Sequence, residues 1–169
     1  EEQVNAWLIV QGSTSLLVDT GCDGESLNRA LSAVCPGNPN AVLITHGHHD
    51  HVGGLESLRN AGVHAFGCEI PEKGHIGPDQ AQQIGDIAFR TLDLSGHYTP
   101  ALGFLFDGFS RPVLAVGDAI FAGSIGGCKT QESYRLALRN IQLACRELPD
   151  ETVILPGHGP ATTLGEERK

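Results

Sequence analysis

The sequence predicts a layered α/β fold with two sheets. Short apolar runs of strand length recur in both halves, amphipathic helical stretches fall between them, and chemistry-bearing residues stand where the strands end. Ala6–Val10 and Ser15–Asp19 flank Gln11-Gly12-Ser13 and read as a β-hairpin. Asp23–Val34 carries Leu27, Ala30, Leu31 and Val34 at helical spacing, and Pro36-Gly37 ends it. Ala41–Ile44 is a buried strand, Leu55–Ala61 a short helix and Val63–Phe66 the next strand. Cys68 to Gly85, rich in Gly and Pro, is expected to be an irregular loop over a site. Ile87–Leu94, Gly103–Phe106, Val113–Val116 and Thr152–Leu155 read as strands. Ser133–Leu148 is the clearest helix, its apolar face formed by Leu136, Leu138, Ile141, Ala144, Cys145 and Leu148.

With 169 residues, 40% of them hydrophobic and 18% charged, the chain fits a single folded domain, 1–169, without repeat or linker. The formal net charge of −9 argues against nucleic acid or an anionic membrane surface as partner, since phosphate binding needs a basic footprint. Bound divalent metals would offset part of that charge. Five cysteines without a C-x-x-C pair read as reduced thiols, so a cytoplasmic setting is expected. No apolar run reaches membrane-spanning length, and nothing at the start reads as a signal peptide. The chain has no Met and begins Glu1-Glu2-Gln3, so preceding residues are expected to be missing.

The strongest signal is Thr45-His46-Gly47-His48-His49-Asp50-His51-Val52-Gly53-Gly54. Histidines two apart in an extended segment project to one side, imidazole suits zinc and other first-row metals, and a carboxylate adds a harder ligand. His97, Asp118 and His158 each follow an apolar strand beside a glycine, and with the cluster they complete two metal sites. By the same alternation His49 points outward into solvent. His64, within a strand, is expected to be a satisfied core histidine. His75, in the irregular loop with Lys73, either touches substrate or is solvated.

These motifs resemble the metallo-β-lactamase superfamily, closest to its glyoxalase II-like (hydroxyacylglutathione hydrolase-like) branch. The resemblance runs from Leu17-Val18-Asp19-Thr20-Gly21 through the histidine cluster to Pro156–Glu167. It implies a four-layer αββα sandwich with the metals at one edge of the sheets. It further implies that His46, His48 and His97 hold one metal, that Asp50, His51 and His158 hold a second, and that Asp118 bridges them. The best-known lactamase subclass has a cysteine where Asp118 stands, so the carboxylate points away from β-lactams. Asp19 resembles a residue that orients a ligand imidazole; as a plain reading it is a strand-ending turn residue.

The chain departs from the family in places. Gly96-His97-Tyr98-Thr99-Pro100-Ala101 replaces the usual G-H-T-P-G-S, and Tyr98 either shapes the pocket or packs the loop. The stretch Gly117–Cys128 lacks the Arg and Asp that often follow G-D-x-L-F-x-G. The chain stops soon after Glu166-Glu167, so the helical region that helps to bind glutathione in full-length glyoxalase II is expected to be missing.

The function implied is hydrolysis of a small acyl thioester or ester by a hydroxide shared between two divalent ions, zinc first, with iron or manganese as alternatives. Asp50 orients that hydroxide and takes its proton. No G-x-S-x-G element supplies a protein nucleophile. The rival readings are a mono-iron persulfide dioxygenase, a phosphodiesterase or lactonase of the same superfamily, and a non-catalytic binding module.

Overall fold

The computed structural model describes residues 3–169. Strands β1 (Trp7–Gln11) and β2 (Thr14–Val18) form a hairpin closed by Gly12-Ser13. Helix α1 (Gly24–Val34) follows, with Asp23 as its N-cap, accepting from the Ser26 N–H at 2.8 Å. Strand β3 (Ala41–Leu43) leads into one helical turn, α2 (His49–Val52), then α3 (Leu55–Asn60) and strand β4 (His64–Phe66). These strands form a four-stranded sheet ordered β1-β2-β3-β4, parallel from β2 onward.

The second half holds β5 (Ala81–Ile84), β6 (Ile87–Asp93), β7 (Leu102–Phe106) and β8 (Val113–Gly117). A small hairpin of β9 (Ile120–Phe121) and β10 (Ser124–Ile125) precedes α4 (Gln131–Cys145). Strands β11 (Val153–Pro156) and β12 (Thr162–Thr163) and helix α5 (Leu164–Glu167) complete the chain. The second sheet has six strands, ordered β12-β11-β8-β7-β6-β5, with β8 and β11 parallel.

Side-chain alternation explains the layering, because successive residues of a strand face opposite sides. Leu16, Val18, Ala41 and Leu43 face Phe89, Leu102, Phe104, Phe106 and Leu155 across the space between the sheets. Their neighbours Leu17, Val42 and Ile44 turn outward, onto Leu27 and Leu31 of α1 and Leu55 and Leu58 of α3. On the far side Leu105, Leu114 and Ile154 face Cys145 of α4 and Leu164 of α5. Three apolar layers between four layers of structure make an αββα sandwich. Strands buried on both faces read as continuous apolar runs, which is why the central strands were legible as such.

Three local expectations need correction. The segment from Cys68 to Gly85 is not wholly irregular: Ala81–Ile84 is an edge strand paired with β6, and Glu72–Gly74 forms a 3-10 turn. An edge strand need bury only one face, and Ala81-Gln82-Gln83-Ile84 gives little apolar alternation to read. His64 is exposed, on the edge strand β4, rather than in the core. Helix α4 begins earlier than Ser133, because Thr130 is the N-cap and Ser133 closes a reciprocal capping box with it.

Candidate metal centre

The residues of the cluster are delivered by strand ends, except Asp50 and His51, which the turn α2 after β3 supplies. The first sheet contributes Asp19 after β2 and Thr45, His46 and His48 after β3; the second contributes His97 after β6, Asp118 after β8 and His158 after β11. Strands β8 and β11 lie side by side, and the Gly157 N–H donates to Gly117 O at 2.8 Å, so Asp118 and His158 emerge together. The Leu102 N–H donates to Thr45 O at 2.8 Å, tying the two sheets together beside the site. Asn140 of α4, itself buried, donates to Ser95 O at 3.0 Å and fixes the turn that carries His97.

Two convergent groups result. His46, His48, His97 and Asp118 form one, and Asp50, His51 and His158 the other. In the first, His48 Nδ1 lies 3.0 Å from His46 Nε2 and 3.2 Å from His97 Nε2. In the second, His158 Nε2 lies 3.1 Å from Asp50 Oδ2, and His51 Nε2 lies 4.0 Å from the same oxygen. Asp118 stands between the groups: Oδ1 is 3.2 Å from His51 Nε2, while Oδ2 is 3.5 Å from His97 Nε2 and 3.6 Å from His158 Nε2.

The donor set fits metal ions. His51 Nε2 and Asp118 Oδ1 are both buried, 3.2 Å apart, and neither has a hydrogen-bond partner among the described residues. Buried polar atoms left unpaired are costly, and a shared cation satisfies both. Gly157 makes room here, since a Cβ at that position would run into Asp118 Oδ1 and the His51 ring.

The outer nitrogens of four of the five clustered histidine rings are held by the protein. The Asp19 carboxylate takes His51 Nδ1 at 2.7 Å, the Thr45 N–H at 2.8 Å and the Thr45 hydroxyl at 2.8 Å. That hydroxyl lies 3.0 Å from His46 Nδ1. His97 Nδ1 is 2.7 Å from Gly127 O, and His158 Nδ1 is 2.8 Å from Gln3 O. Each contact fixes a ring orientation and leaves the inner nitrogen free to coordinate. Asp19 adopts a left-handed backbone, φ +59°, which suits the end of a strand and aims its carboxylate inward.

The turn α2 explains the rest of the motif. His48 is extended, and from His49 onward the chain is helical, so Asp50 and His51 reach the site while His49 is exposed. The outward position of His49 therefore comes from this change of conformation as well as from strand alternation. Gly53 and Gly54 pass under the β2–α1 connection, where a Cβ on Gly53 would overlap Cys22 backbone and one on Gly54 would come within 2.6 Å of Thr20 O.

Electrostatics divide the histidines. Burial, helped by neighbouring His51, pushes the His46 imidazole down to about 3. His48 is lowered by burial and by His97. Both are neutral at physiological pH and ready to coordinate. Burial opposes charge on His51, but the carboxylates of Asp118 and Asp19 outweigh it and raise the group to about 10. Burial also opposes charge on Asp118, and His51 in turn overcomes it and lowers the carboxyl below its ordinary value. Without metal, His51 is therefore protonated below about pH 10, and coordination must displace its Nε2 proton. Loading chelator-stripped protein with zinc at pH 7.5 should release at least one proton per chain. A pH indicator in weak buffer measures this, and metal uptake without proton release would contradict a coordinating role for His51.

An open cleft of 630 Å³ lies above the cluster, lined by Gln3, His48, Asp50, His97, Asp118, Phe121, His158 and Gly159. Tyr98 is elsewhere: its ring packs against His46 and His48, centroids 5.4 and 4.8 Å away, and its hydroxyl donates to Glu69 Oε1 at 3.1 Å. Burial and then Glu69 raise the Tyr98 phenol above its ordinary value. His75 is exposed, with Nδ1 2.9 Å from Cys68 O, and it does not line the cleft. Sequence reasoning missed Thr45, Glu69 and Phe121. The signal for Phe121 was present: Ile120 is buried in the outer core, so its neighbour must face the other way.

Comparison with known proteins agrees with this geometry. Residues 1–89, more than half the chain, match the metallo-beta-lactamase superfamily. The hydroxyacylglutathione hydrolase GloC of Haemophilus influenzae is 28% identical over 180 residues, covering 90% of this chain and 84% of that protein. Among solved structures, the BLEG-1 B3 metallo-beta-lactamase matches with a TM-score of 0.86 at 24% identity, over 98% of this chain and 91% of its own, which shows the fold. TTHA1623 in a di-iron-bound form matches with a TM-score of 0.79 at 26% identity, over 99% and 93% of the two chains. With its histidine and aspartate cluster at one edge of an αββα sandwich and its similarity to glyoxalase II-like hydrolases, the chain belongs to the metallo-beta-lactamase superfamily.

Proposed function

We propose that the protein is a dinuclear metal-dependent hydrolase of small acyl thioesters or activated esters. The observation that carries this reading is the position of Asp118 between two complete ligand groups, within 3.2 to 3.6 Å of a histidine nitrogen from each. His46, His48 and His97 would hold one ion, Asp50, His51 and His158 the other, and Asp118 both. Zinc is the assignment we favour, as nitrogen and oxygen donors suit it; the di-iron form of TTHA1623 keeps iron as the alternative. Bound there, the ions supply a water acidic enough to attack at neutral pH and a Lewis acid for the acyl carbonyl.

The chain's own groups account for the rest. Asp50 is partly exposed to the cleft and is placed to orient the attacking water and accept its proton. His158 Nε2, 3.1 Å from Asp50 Oδ2, faces the same space. A thiolate leaves readily and is itself a good zinc ligand, which favours thioesters. None of the described residues lining the cleft is Lys or Arg, so glutathione's carboxylates meet no cation there. The substrate is therefore a small acyl compound with no special call for glutathione. A second ligand group at Asp50, His51 and His158 favours the dinuclear hydrolase over a mono-iron oxygenase. The net charge of −9 weighs against nucleic acid, no helix among the described residues is long and apolar enough to cross a membrane, and five free thiols fit a reducing cytoplasm.

The test is a steady-state panel on metal-loaded protein: an acyl-glutathione, a shorter acyl thioester, a lactone, a phosphodiester and a cephalosporin. The thioesters should give the highest kcat/KM, with the two thioesters comparable. A cephalosporin or phosphodiester turned over much faster than every thioester would overturn the reading, as would oxygen consumption with a persulfide. A large advantage for acyl-glutathione would overturn only the statement about glutathione.

A further inference from the structure

The geometry points to Phe121 as the apolar wall on which the substrate's acyl chain packs, and to Glu167 as the residue that positions that wall. This rests on the acyl-hydrolase reading and adds to it a selectivity for acyl groups that carry a short hydrocarbon chain.

Among the eight described residues that line the cleft, seven are polar groups or glycine and Phe121 is the large apolar one. It follows Asp118 by three positions, on strand β9, and its ring centroid lies 6.1 Å from that of His158. Ile120 is anchored in the outer core among Leu114, Val116 and Leu164, so the strand's alternation commits Phe121 to the cleft side. An acyl carbonyl drawn to the cluster would leave its hydrocarbon tail beside this ring, where burial of apolar surface favours binding.

The ring is carried by a hairpin only two residues long in each strand, with Phe121 paired to Ser124. A ribbon that short is not stable alone. The chain supplies an anchor: Glu167, at the end of α5, accepts the Gly123 N–H through Oε2 at 2.7 Å and the Thr162 hydroxyl through Oε1 at 2.7 Å. Thr162 lies on β12, which pairs with β11, the strand that delivers His158. One carboxylate thus ties the turn of the Phe121 hairpin to the framework that holds a ligand, fixing the distance between wall and centre.

The experiment measures kcat and KM for N-acetylcysteamine thioesters from acetyl to hexanoyl with metal-loaded protein, together with the affinity of hexanoate and acetate by ligand-observed NMR. In the wild type kcat/KM should rise about twofold per added methylene. Phe121→Ala should flatten that slope, erasing a hexanoyl preference of about sixteenfold, with the change carried by KM, since the wall touches substrate and transition state alike. Phe121→Leu should retain most of the slope. Glu167→Ala should lose most of the preference, and Glu167→Gln should keep it, because the amide oxygen still accepts from Gly123 and the Thr162 hydroxyl can accept from the amide.

An unchanged slope and unchanged hexanoate affinity in Phe121→Ala would overturn the wall. So would equal losses for acetyl and hexanoyl substrates together with loss of metal, because Phe121 would then serve only to support His158. If Glu167→Ala lowered all substrates alike along with Tm, its positioning role would be overturned. Thioesters left uncleaved while hexanoate affinity still falls in Phe121→Ala would refute the acyl-hydrolase reading and uphold the wall.

Discussion

Asp118→Ala is expected to strip most of the bound metal and lower kcat/KM by about a thousandfold or more. Its two oxygens approach His51, His97 and His158, so one substitution removes a ligand from both groups. It also leaves the buried, protonated His51 with Asp19 as its remaining close carboxylate partner, which costs stability as well as activity. His49→Ala is the control within the same motif: that side chain is exposed and belongs to neither ligand group, so metal content and rate should stay near wild type. Elemental analysis and steady-state rates on both variants, with Tm to monitor folding, check the pair. Equal metal loss in the two would contradict the assignment of inward and outward residues in the cluster.

Asp19→Ala should weaken metal binding by about 10- to 100-fold although Asp19 belongs to neither ligand group. Its carboxylate accepts from the Thr45 backbone and hydroxyl and from His51 Nδ1, so it fixes one ligand ring directly and a second through Thr45. Removing it leaves the His51 Nδ1 proton buried without its acceptor, and Tm should fall too. Asp19→Asn separates the two effects. The amide keeps the shape and one bond to Thr45, but without the charge it no longer holds His51 in the tautomer that frees Nε2. Metal affinity should fall nearly as far as in the alanine variant while Tm recovers. Full metal affinity in Asp19→Asn would show that Asp19 is only a turn residue at the end of β2.

Much of this architecture could be read from residue pattern because the two sheets bury both faces of their central strands. Runs such as Ala41–Ile44 and Val113–Val116 are apolar without interruption, and the ligands follow directly at their ends. The edge strand Ala81–Ile84 was not legible, since it buries little and its two glutamines carry no periodic signal. His64 was misread for a related reason: on an edge strand one face is open to solvent, and sequence does not say which strand lies at the edge. The seven ligand candidates were visible because histidine and aspartate beside glycine at strand ends are unusual in combination. Which of them share a centre came from the family resemblance and not from residue pattern, because that depends on β8 and β11 lying adjacent and parallel across 35 or more residues of intervening chain. Asp19 shows the same limit. A carboxylate after a strand reads equally as a turn former, and only the 2.7 Å approach to His51 reveals what it holds. Tyr98 was noticed for its place beside His97, but it backs two ligand rings and leaves the cleft wall to Phe121.

Two ligand groups sharing Asp118 imply a metal pair, and the number of bound ions decides it. Protein purified without chelators, or stripped and then reloaded under a slight excess of zinc, should retain about two ions per chain by elemental analysis after gel filtration. Binding should saturate at that ratio, and Asp118→Ala should fall well below it. Saturation at one ion per chain, with His158→Ala leaving that ion in place and hydrolysis intact, would contradict the dinuclear centre.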